Sequence, residues 1–486
     1  MNRPIRRVGY AVTVLILLLV GQLTYLQVVD ASRLADDKRN PRGALREYNR
    51  ARGEILTADG TIVAQSLPTT GENKYLRTYP QVGLYAHTVG YQSFVDLVGS
   101  SGVESSYNDV LTGQDTSLQL GDIGGLLNGK ATTNNVVLSL TQGAQTTARD
   151  ALRNQRGSVV ALDLRSGAVL AMYSNPTFNP NGLAVHDTQF VQNSFNAINS
   201  GDKAALQRSY RDRYSPGSTF KVVTSKSAIE AGLATPDDRV FPELNGFQIP
   251  GTNATLGNFG GTPCGGTLRQ SLVNSCNATF AALGYELGDR FPPAMDQCGI
   301  NSVPPIDLAP SAVESVGPRV GADQPRFALA GIGQGDVFTS PLQMALIAAG
   351  IGNGGKIMEP HVVKEIQNTD GKVVRTTEPK EWTTCMSPTT ANALTSMMLD
   401  VVNEGTGFNA QVDGVEVAGK TGTAQTGVEG EAPHAWFIAF APANAPKYAV
   451  AVIIEHGGDF GNEATGGEVA APIAKQVLQN LLSTNP

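Results

Sequence analysis

Histidine is scarce in this 486-residue chain: five residues, His87, His186, His361, His434 and His456, scattered along it with no H-E-x-x-H pair. Nothing in that pattern points to a zinc hydrolase. Catalytic triads are assembled in space, so spacing alone does not exclude one. No G-x-S-x-G elbow is present either, and a serine nucleophile here is expected to use a base other than histidine. Cysteine is also sparse: Cys264, Cys276, Cys298 and Cys385, with no C-x-x-C spacing, which argues against a zinc site or a redox pair. Four cysteines allow three pairings or none. The expected pair is Cys264 with Cys276, which would close a short Gly-rich loop, with four unpaired buried thiols as the alternative. Positive charge is in deficit, with 36 Lys and Arg against 43 Asp and Glu and a net charge of −7. A nucleic-acid partner would call for the opposite balance. No internal repeat appears, and the 54 glycines and 27 prolines follow no period, so turns are many but no collagen-like or linker-dominated region exists.

What is present is a globular composition, 41% hydrophobic and 16% charged, in a length that suits two or three domains. One long apolar run stands at the N-terminus. Residues 8–29, VGYAVTVLILLLVGQLTYLQVV, carry no charge and can cross a bilayer as a helix. Arg3, Arg6 and Arg7 precede them, so residues 1–7 are expected to stay cytoplasmic and the rest to lie on the extracytoplasmic side of the cytoplasmic membrane, in a single pass. The run exceeds an ordinary signal-peptide core, and no A-x-A site follows, which favours an uncleaved anchor. Outside the membrane, disulfides become permissible.

Residues 30–52 read as a polar connector. A non-catalytic region over 30–135 contains GEILTADGTIVAQS, two short strands turning at Asp59-Gly60, and ends in a boundary loop at 126–135. A larger domain is expected over 136–486. It starts with a helix in TQGAQTTARDALRNQ capped by Thr141. Two strands follow in GSVVALDLRSGAVLAMYS, joined across Arg165-Ser166-Gly167. The middle, roughly 190–360, reads as helices and long loops. Strands return in VEVAGKTGTAQT, HAWFIAFAP and YAVAVIIEHG. APIAKQVLQNLLS closes the chain as an amphipathic helix with Ile473, Val477 and Leu481 on one stripe. Strands at both ends with helices between predict an α+β fold, one antiparallel sheet flanked by helices.

The chemistry concentrates in YSPGSTFKVVTS, residues 214–225. Pro216-Gly217 breaks the chain and a helix follows, placing Ser218 in its first turn, where free N–H groups favour negative charge. Lys221 at i+3 shares its face, and a serine with an adjacent amine is a nucleophile–base pair. A free lysine titrates near ~10.4, so half-neutrality at pH 7 requires a drop of about 3 units, roughly 4 kcal/mol. An apolar helix and a second cation both push that way. The same spacing in Ser200-Gly201-Asp202-Lys203 lies in a polar loop and reads as a solvated turn. Ser275-Cys276-Asn277 follows, where Asn277 could alternatively only cap the helix ATFAALGYEL; Ser194-Phe195-Asn196 has the same pattern but precedes Ser218. Lys420-Thr421-Gly422-Thr423 comes last, in a β-rich segment where glycine permits close approach of a ligand backbone. In GIGQGD the final glycine of a dinucleotide fingerprint is Asp336, and no apolar strand leads into it, so it is no nucleotide loop. Ser340-Pro341 after it reads as a helix start.

S-x-x-K, S-x-N and K-T-G in this order resemble penicillin-binding proteins and class A β-lactamases. The phrases RGEILTADGTIVA, GSVVALDLRSGAVLAM, GIGQGDVFTSPLQMA and EGTG before AGKTGTAQ resemble class B penicillin-binding proteins, most closely the PbpA type of actinobacteria. The resemblance covers nearly everything after the anchor; Cys276 inside S-x-N departs from many relatives. It implies a transpeptidase domain preceded by a smaller β-rich dimerisation or pedestal-like region. It implies D,D-transpeptidation of peptidoglycan stem peptides through an ester on Ser218, in cell-wall synthesis and division, with β-lactams acylating the same serine. Lys221 is then the base and Ser275 the relay. Asn277, Lys420, Thr421, Gly422 and Thr423 form the substrate-binding set, and the backbone N–H groups of Ser218 and Thr423 form the oxyanion hole. No metal or organic cofactor is called for. A membrane glycosyltransferase and divisome or elongation proteins are the partners it suggests; no glycosyltransferase domain fits between the anchor and residue 136. A β-lactamase, a D,D-carboxypeptidase and a β-lactam-binding sensor or scaffold without turnover are the rival readings.

Overall fold

The computed structural model describes residues 2–30, 49–70, 73–119 and 133–484. The connector expected over 30–52 and the loop expected at 126–135 lie for the most part outside them. The first helix, Asn2–Thr24, continues as a wider turn through Tyr25–Val29. From Arg3 to Gln27 it is long and apolar enough to cross a membrane. Leu15, Leu17, Leu18 and Leu19 stand exposed on it, an arrangement that water penalises and a bilayer does not.

Strand patterning in the N-terminal region yields a six-stranded sheet. Its order is Val373–Thr376, Val363–Asn368, Asn134–Leu138, Ile55–Leu56, Ile62–Pro68, Tyr75–Thr78. The expected hairpin forms at Asp59-Gly60, Ile55 pairing with Ala64. The sheet is completed from far along the chain, because Ile366 pairs with Val136. Beneath it Glu104 is fully buried between two arginines: Arg52 Nη2 and Arg77 Nε reach its carboxylate at 3.1 and 2.5 Å. Burial pushes the Glu104 carboxyl up, but the Arg77 and Arg52 charges outweigh it and hold it below the usual range. Arg77 Nη1 also donates to Gly53 O at 2.8 Å, so the cluster ties the start of the region to its third strand.

The larger domain is built on five antiparallel strands. β1 (Gly157–Asp163) and β2 (Val169–Asn175) come first in the chain; β3 (Ala418–Ala424), β4 (His434–Ala441) and β5 (Tyr448–Ile454) come last. Their spatial order is β3-β4-β5-β1-β2, so sequence-distant segments meet where Val450 pairs with Ala161. Helices cover both faces. α1 (Gln142–Leu152), with Thr141 accepting from Ala144 N at 3.3 Å, packs with the C-terminal helix on one face. The helical middle supplies α2 (Lys221–Glu230), α3 (Asn277–Leu287), α4 (Gln324–Gly331), α5 (Pro341–Gly352) and α6 (Pro388–Asn403). α5 is apolar nearly all round and buried against β5, β1 and β4, as a core helix must be. Ser340 caps it, accepting from Gln343 N at 3.2 Å. α7 (Ala471–Thr484) buries Ile473, Val477 and Leu481 as its periodicity predicts. The fold is thus α+β, and β3 is left as an edge strand whose free side meets the 3₁₀ turn before α2.

Removing one member of a buried ion cluster strands the others' charge, typically at about 3–5 kcal/mol. Glu104→Ala is expected to lower the stability of the N-terminal region by that order. Thermal unfolding of the full-length protein, followed beside Glu104→Gln, measures it.

Candidate active site

The strap before α2 is held at every step. Tyr214 pairs with Thr339 through both backbone bonds, at 2.9 Å each. Tyr214 OH donates to Glu455 Oε1 at 2.7 Å, where Arg208 Nε also binds at 2.7 Å. Trp436 Nε1 donates to Ser215 O at 3.1 Å. Gly217 then turns with φ +53° and gives its N–H to Gly333 O at 2.9 Å. Gly333 is also left-handed, at φ +69°, and a Cβ there would lie 2.2 Å from Gly217 O. The glycines of GIGQGD therefore serve as the backing of the serine turn. Gly217–Phe220 forms a 3₁₀ turn that runs into α2, leaving Ser218 half-buried at its start.

Lys221 is fully buried. Its Nζ donates to Ser275 O and to Asn277 Oδ1, both at 2.7 Å, and lies 3.2 Å from Ser275 Oγ. The Phe280 ring sits 5.4 Å away. Asn277 is oriented by Gly257 O, which can only accept and takes Asn277 Nδ2 at 2.8 Å, so Oδ1 must face the lysine. Asn277 begins α3 and Cys276 holds the cap position, without a side-chain cap bond. Capping is thus not what Asn277 does. Ser275 has φ +58°, uncommon outside glycine, and this turn is what aims its carbonyl at Lys221. Among the described residues Ser218 Oγ has no hydrogen-bond partner; the side chains of Ser218 and Lys221 lie one turn apart, with the amine committed to S-x-N.

Lys420 reaches the same hydroxyl from the other side. It is fully buried on β3, with Nζ 3.0 Å from Ser275 Oγ and 3.0 Å from Thr421 O. Burial and then the Lys420 charge hold the Lys221 amine well below the ordinary lysine range. Burial brings Lys420 down to about 7. Thr421 is buried and shares a 2.6 Å hydrogen bond with Thr406. Gly422 has no room for a side chain: a Cβ would stand 2.8 Å from Thr219 Cγ2 and 3.0 Å from Pro216 O. Thr423 is half-buried and its carbonyl lies 2.7 Å from the Cβ position of Gly217, so the strand edge abuts the serine turn. The structure thus brings the three motifs together: Lys221, Ser275, Asn277 and Lys420 by hydrogen bonds, and Gly422 and Thr423 against the turn that carries Ser218. It leaves Ser194 and Asn196 on the helix Thr188–Asn199, and Ser200 in an exposed turn bonded to Ala197 O at 3.0 Å.

Several contributors were not singled out in the sequence. Thr406 lies in the EGTG phrase, but nothing there predicts its bond to Thr421. Glu455 and Arg208 lie 247 residues apart and no local pattern connects them. Cys298 and Cys385 form a disulfide that the sequence did not single out, beside the expected one between Cys264 and Cys276. His434 packs edge-on to Tyr214, with ring centroids 5.4 Å apart; it is no partner of Ser218.

Chemically, the cleft offers a hydroxyl at a helix start, two buried amines of lowered basicity and a second hydroxyl between them. Gly333→Ala should displace the serine turn. A misplacement of about 1 Å can cost roughly a hundredfold in rate, and a loss of that order is expected in the rate of modification of Ser218 by an acylating probe.

Residues 157–479 match the penicillin binding protein transpeptidase domain, and residues 52–137 match the penicillin binding protein A dimerisation domain. The chain is 38% identical to peptidoglycan D,D-transpeptidase PbpA of Mycolicibacterium smegmatis, over 98% of each chain. It is 36% identical to the PbpA of Mycobacterium tuberculosis over the whole of both. The ceftriaxone acyl-enzyme structure of M. tuberculosis penicillin-binding protein A superposes with a TM-score of 0.84 at 34% identity, covering 90% of this chain and 100% of that one.

Proposed function

Because the chain belongs to the penicillin-binding protein transpeptidases, we propose that it is a peptidoglycan D,D-transpeptidase acting through a serine acyl-enzyme. The observation that carries the reading is the convergence of Lys221 and Lys420 on Ser275 Oγ beside Ser218. A neutral lysine amine has two N–H bonds and one lone pair. Ser275 O and Asn277 Oδ1 can only accept, so they take both N–H bonds and leave the lone pair for a hydroxyl. The hydroxyl that Lys221 meets in this structure is Ser275 Oγ, at 3.2 Å. With its lone pair free and Ser218 one turn before it, Lys221 is assigned the role of base for Ser218.

Ser218 Oγ attacks the carbonyl between the terminal D-alanines and its proton passes to Lys221. The oxyanion lies against the backbone N–H groups of Ser218 and Thr423. The intermediate collapses, the C–N bond breaks, and the departing D-alanine amine takes the proton through Ser275. A side-chain amine of a neighbouring stem then attacks the ester, forming the cross-link and returning Ser218 to its hydroxyl. Lys420, Thr421 and Thr423 bind the terminal carboxylate and Asn277 the substrate amide; Gly422 lets the strand approach. β-Lactams follow the first half of this path and stop at the ester.

The catalytic domain lies on the extracytoplasmic side of the membrane. Arg3, Arg6 and Arg7 before the apolar helix support this orientation, as do two disulfides, which persist in oxidising compartments. The region over 52–137 stands between anchor and catalytic domain and suits a docking role toward a membrane glycosyltransferase and division or elongation proteins.

Mass spectrometry of the full-length protein in detergent with benzylpenicillin tests the reading. The intact drug mass should appear on Ser218, persist for hours, and be absent from Ser218→Ala. Rapid loss of the adduct with hydrolysed drug would indicate a β-lactamase, and no adduct would overturn the assignment. With a stem-peptide donor and amine acceptor, cross-linked product rather than water-released acid separates transpeptidase from carboxypeptidase.

The second-order acylation constant reports the free enzyme. It should fall at acid pH as Lys221 gains its proton, and fall again above about 7 as Lys420 loses its own. The two limbs belong to the coupled pair. Lys420→Arg should slow acylation yet remove the alkaline limb, and its persistence in that variant would contradict the assignment.

A further inference from the structure

In the acyl-transfer reading above, the motif residues hold the two terminal D-alanines, and the rest of the donor stem peptide extends beyond them. Its course follows from β3. The carboxylate set begins at Lys420 and Thr421, and the acyl carbonyl lies at the N–H groups of Ser218 and Thr423, so the stem continues past Thr423 and away from Lys420. There the Thr423 carbonyl abuts Gly217, and Gly217 N donates to Gly333 O at 2.9 Å. Gln334 comes next, half-buried between two left-handed glycines, Gly333 and Gly335, at φ +69° and +68°. Among the described residues its carboxamide has no hydrogen-bond partner.

A cavity of about 530 Å³ opens along that course, lined in part by Val316, Arg319, Val320, Arg326, Asp336 and Phe338. Val316 and Phe338 exchange both backbone bonds, at 2.8 and 3.0 Å, directly beside the Thr339–Tyr214 pair. The cavity floor is therefore continuous with the strap that carries Ser218. Its wall is fixed where Gly321 N donates to Asp289 Oδ1 at 2.7 Å. Asp336 stands three residues past Gly333, a reach of at most about 11 Å, which three extended residues of a stem also span.

The lining suits an anionic peptide. Phe338 is 38% exposed and Val320 64%, so apolar surface faces the space. Arg326 Nη1 lies 3.3 Å from Asp336 Oδ2, and Arg319 Nη2 lies 3.5 Å from Glu314 Oε1, with all four side chains at least 44% exposed. Exposed pairs of this kind contribute little, so either guanidinium can exchange its partner for a ligand carboxylate, which it grips with two parallel bonds.

Resting on the acyl-transfer reading, we propose that this cavity is the subsite for the donor stem upstream of its D-alanines. Arg319 and Arg326 bind the stem's free carboxylates, and Val316, Val320 and Phe338 pack on its aliphatic parts. Gln334 hydrogen-bonds the stem backbone between cavity and serine. A penicillin carries no stem and reaches Ser218 without the cavity.

The experiment uses full-length protein in detergent. A stem pentapeptide and its N-acetylated terminal dipeptide compete with a fluorescent penicillin for Ser218, in wild type and in Arg319→Ala/Arg326→Ala. The pentapeptide should inhibit wild type at a concentration at least about tenfold lower than the dipeptide, since one charge-assisted bond carries about that factor. The double variant should lose this advantage while its uninhibited acylation and thermal unfolding stay within about twofold and a few degrees of wild type. Arg319→Lys/Arg326→Lys should recover part of it, and added salt should shrink it in wild type. A pentapeptide no better than the dipeptide in wild type overturns the proposal, as does a double variant that keeps the advantage or acylates as poorly as it competes. Pentapeptide that instead speeds loss of the penicillin adduct, without competing, assigns the cavity to the incoming acceptor stem and overturns the donor subsite. If wild type is not acylated by the penicillin at all, the acyl-transfer reading fails instead.

Discussion

Two lysine amines kept dry around one hydroxyl are the constraint on which the rest depends. Lys221 and Lys420 lie 3.2 and 3.0 Å from Ser275 Oγ, so the amines stand no more than about 6 Å apart. Two unit charges at that separation repel by about 3 kcal/mol at an effective dielectric of ~20. Burial adds a penalty for each charge. The least costly resolution is for one amine to be neutral, and a neutral buried amine can act as a base, the role proposed for Lys221. The reactivity follows from a packing arrangement, without histidine.

The fold maintains that arrangement by making three sequence-distant pieces rigid at the point where they meet. β3 is an edge strand, so its outer side is free for the serine turn, and Gly422 removes the one side chain that would hold them apart. The serine turn is anchored to Gly333, Thr339 and Glu455. The S-x-N turn is clamped by the 241–266 lobe. Each anchor comes from a different part of the chain, and a shift in any of them reaches Lys221 through its hydrogen bonds.

The N-terminal sheet is linked to the catalytic domain by strand exchange. Val363–Asn368 pairs with Asn134–Leu138, and Asp307 in the helical middle accepts from Tyr107 OH at 2.8 Å and from Val362 N at 2.7 Å. The two regions therefore share backbone and side-chain bonds as well as a surface.

Local chemistry was legible in the sequence. The five central strands, the capped helices at Thr141 and Ser340, the apolar N-terminal helix and the three motifs each follow from periodicity, cap residues or short spacing, which act over a few residues. The motif order pointed to Ser218, Lys221, Ser275, Asn277 and 420–423, and the structure brings these segments together. What the tertiary structure decided is everything set by contacts across hundreds of residues. That includes the edge position of β3, the Glu455–Arg208–Tyr214 brace, the bond of Thr406 to Thr421, the strands 363–376 added to the N-terminal sheet, and the Cys298–Cys385 disulfide. It also decided that Lys221 rests on Ser275 and Asn277. Spacing places its amine near Ser218, but only burial and the left-handed turn at Ser275 determine which oxygens it meets, because no short-range rule encodes a dielectric or a distant carbonyl.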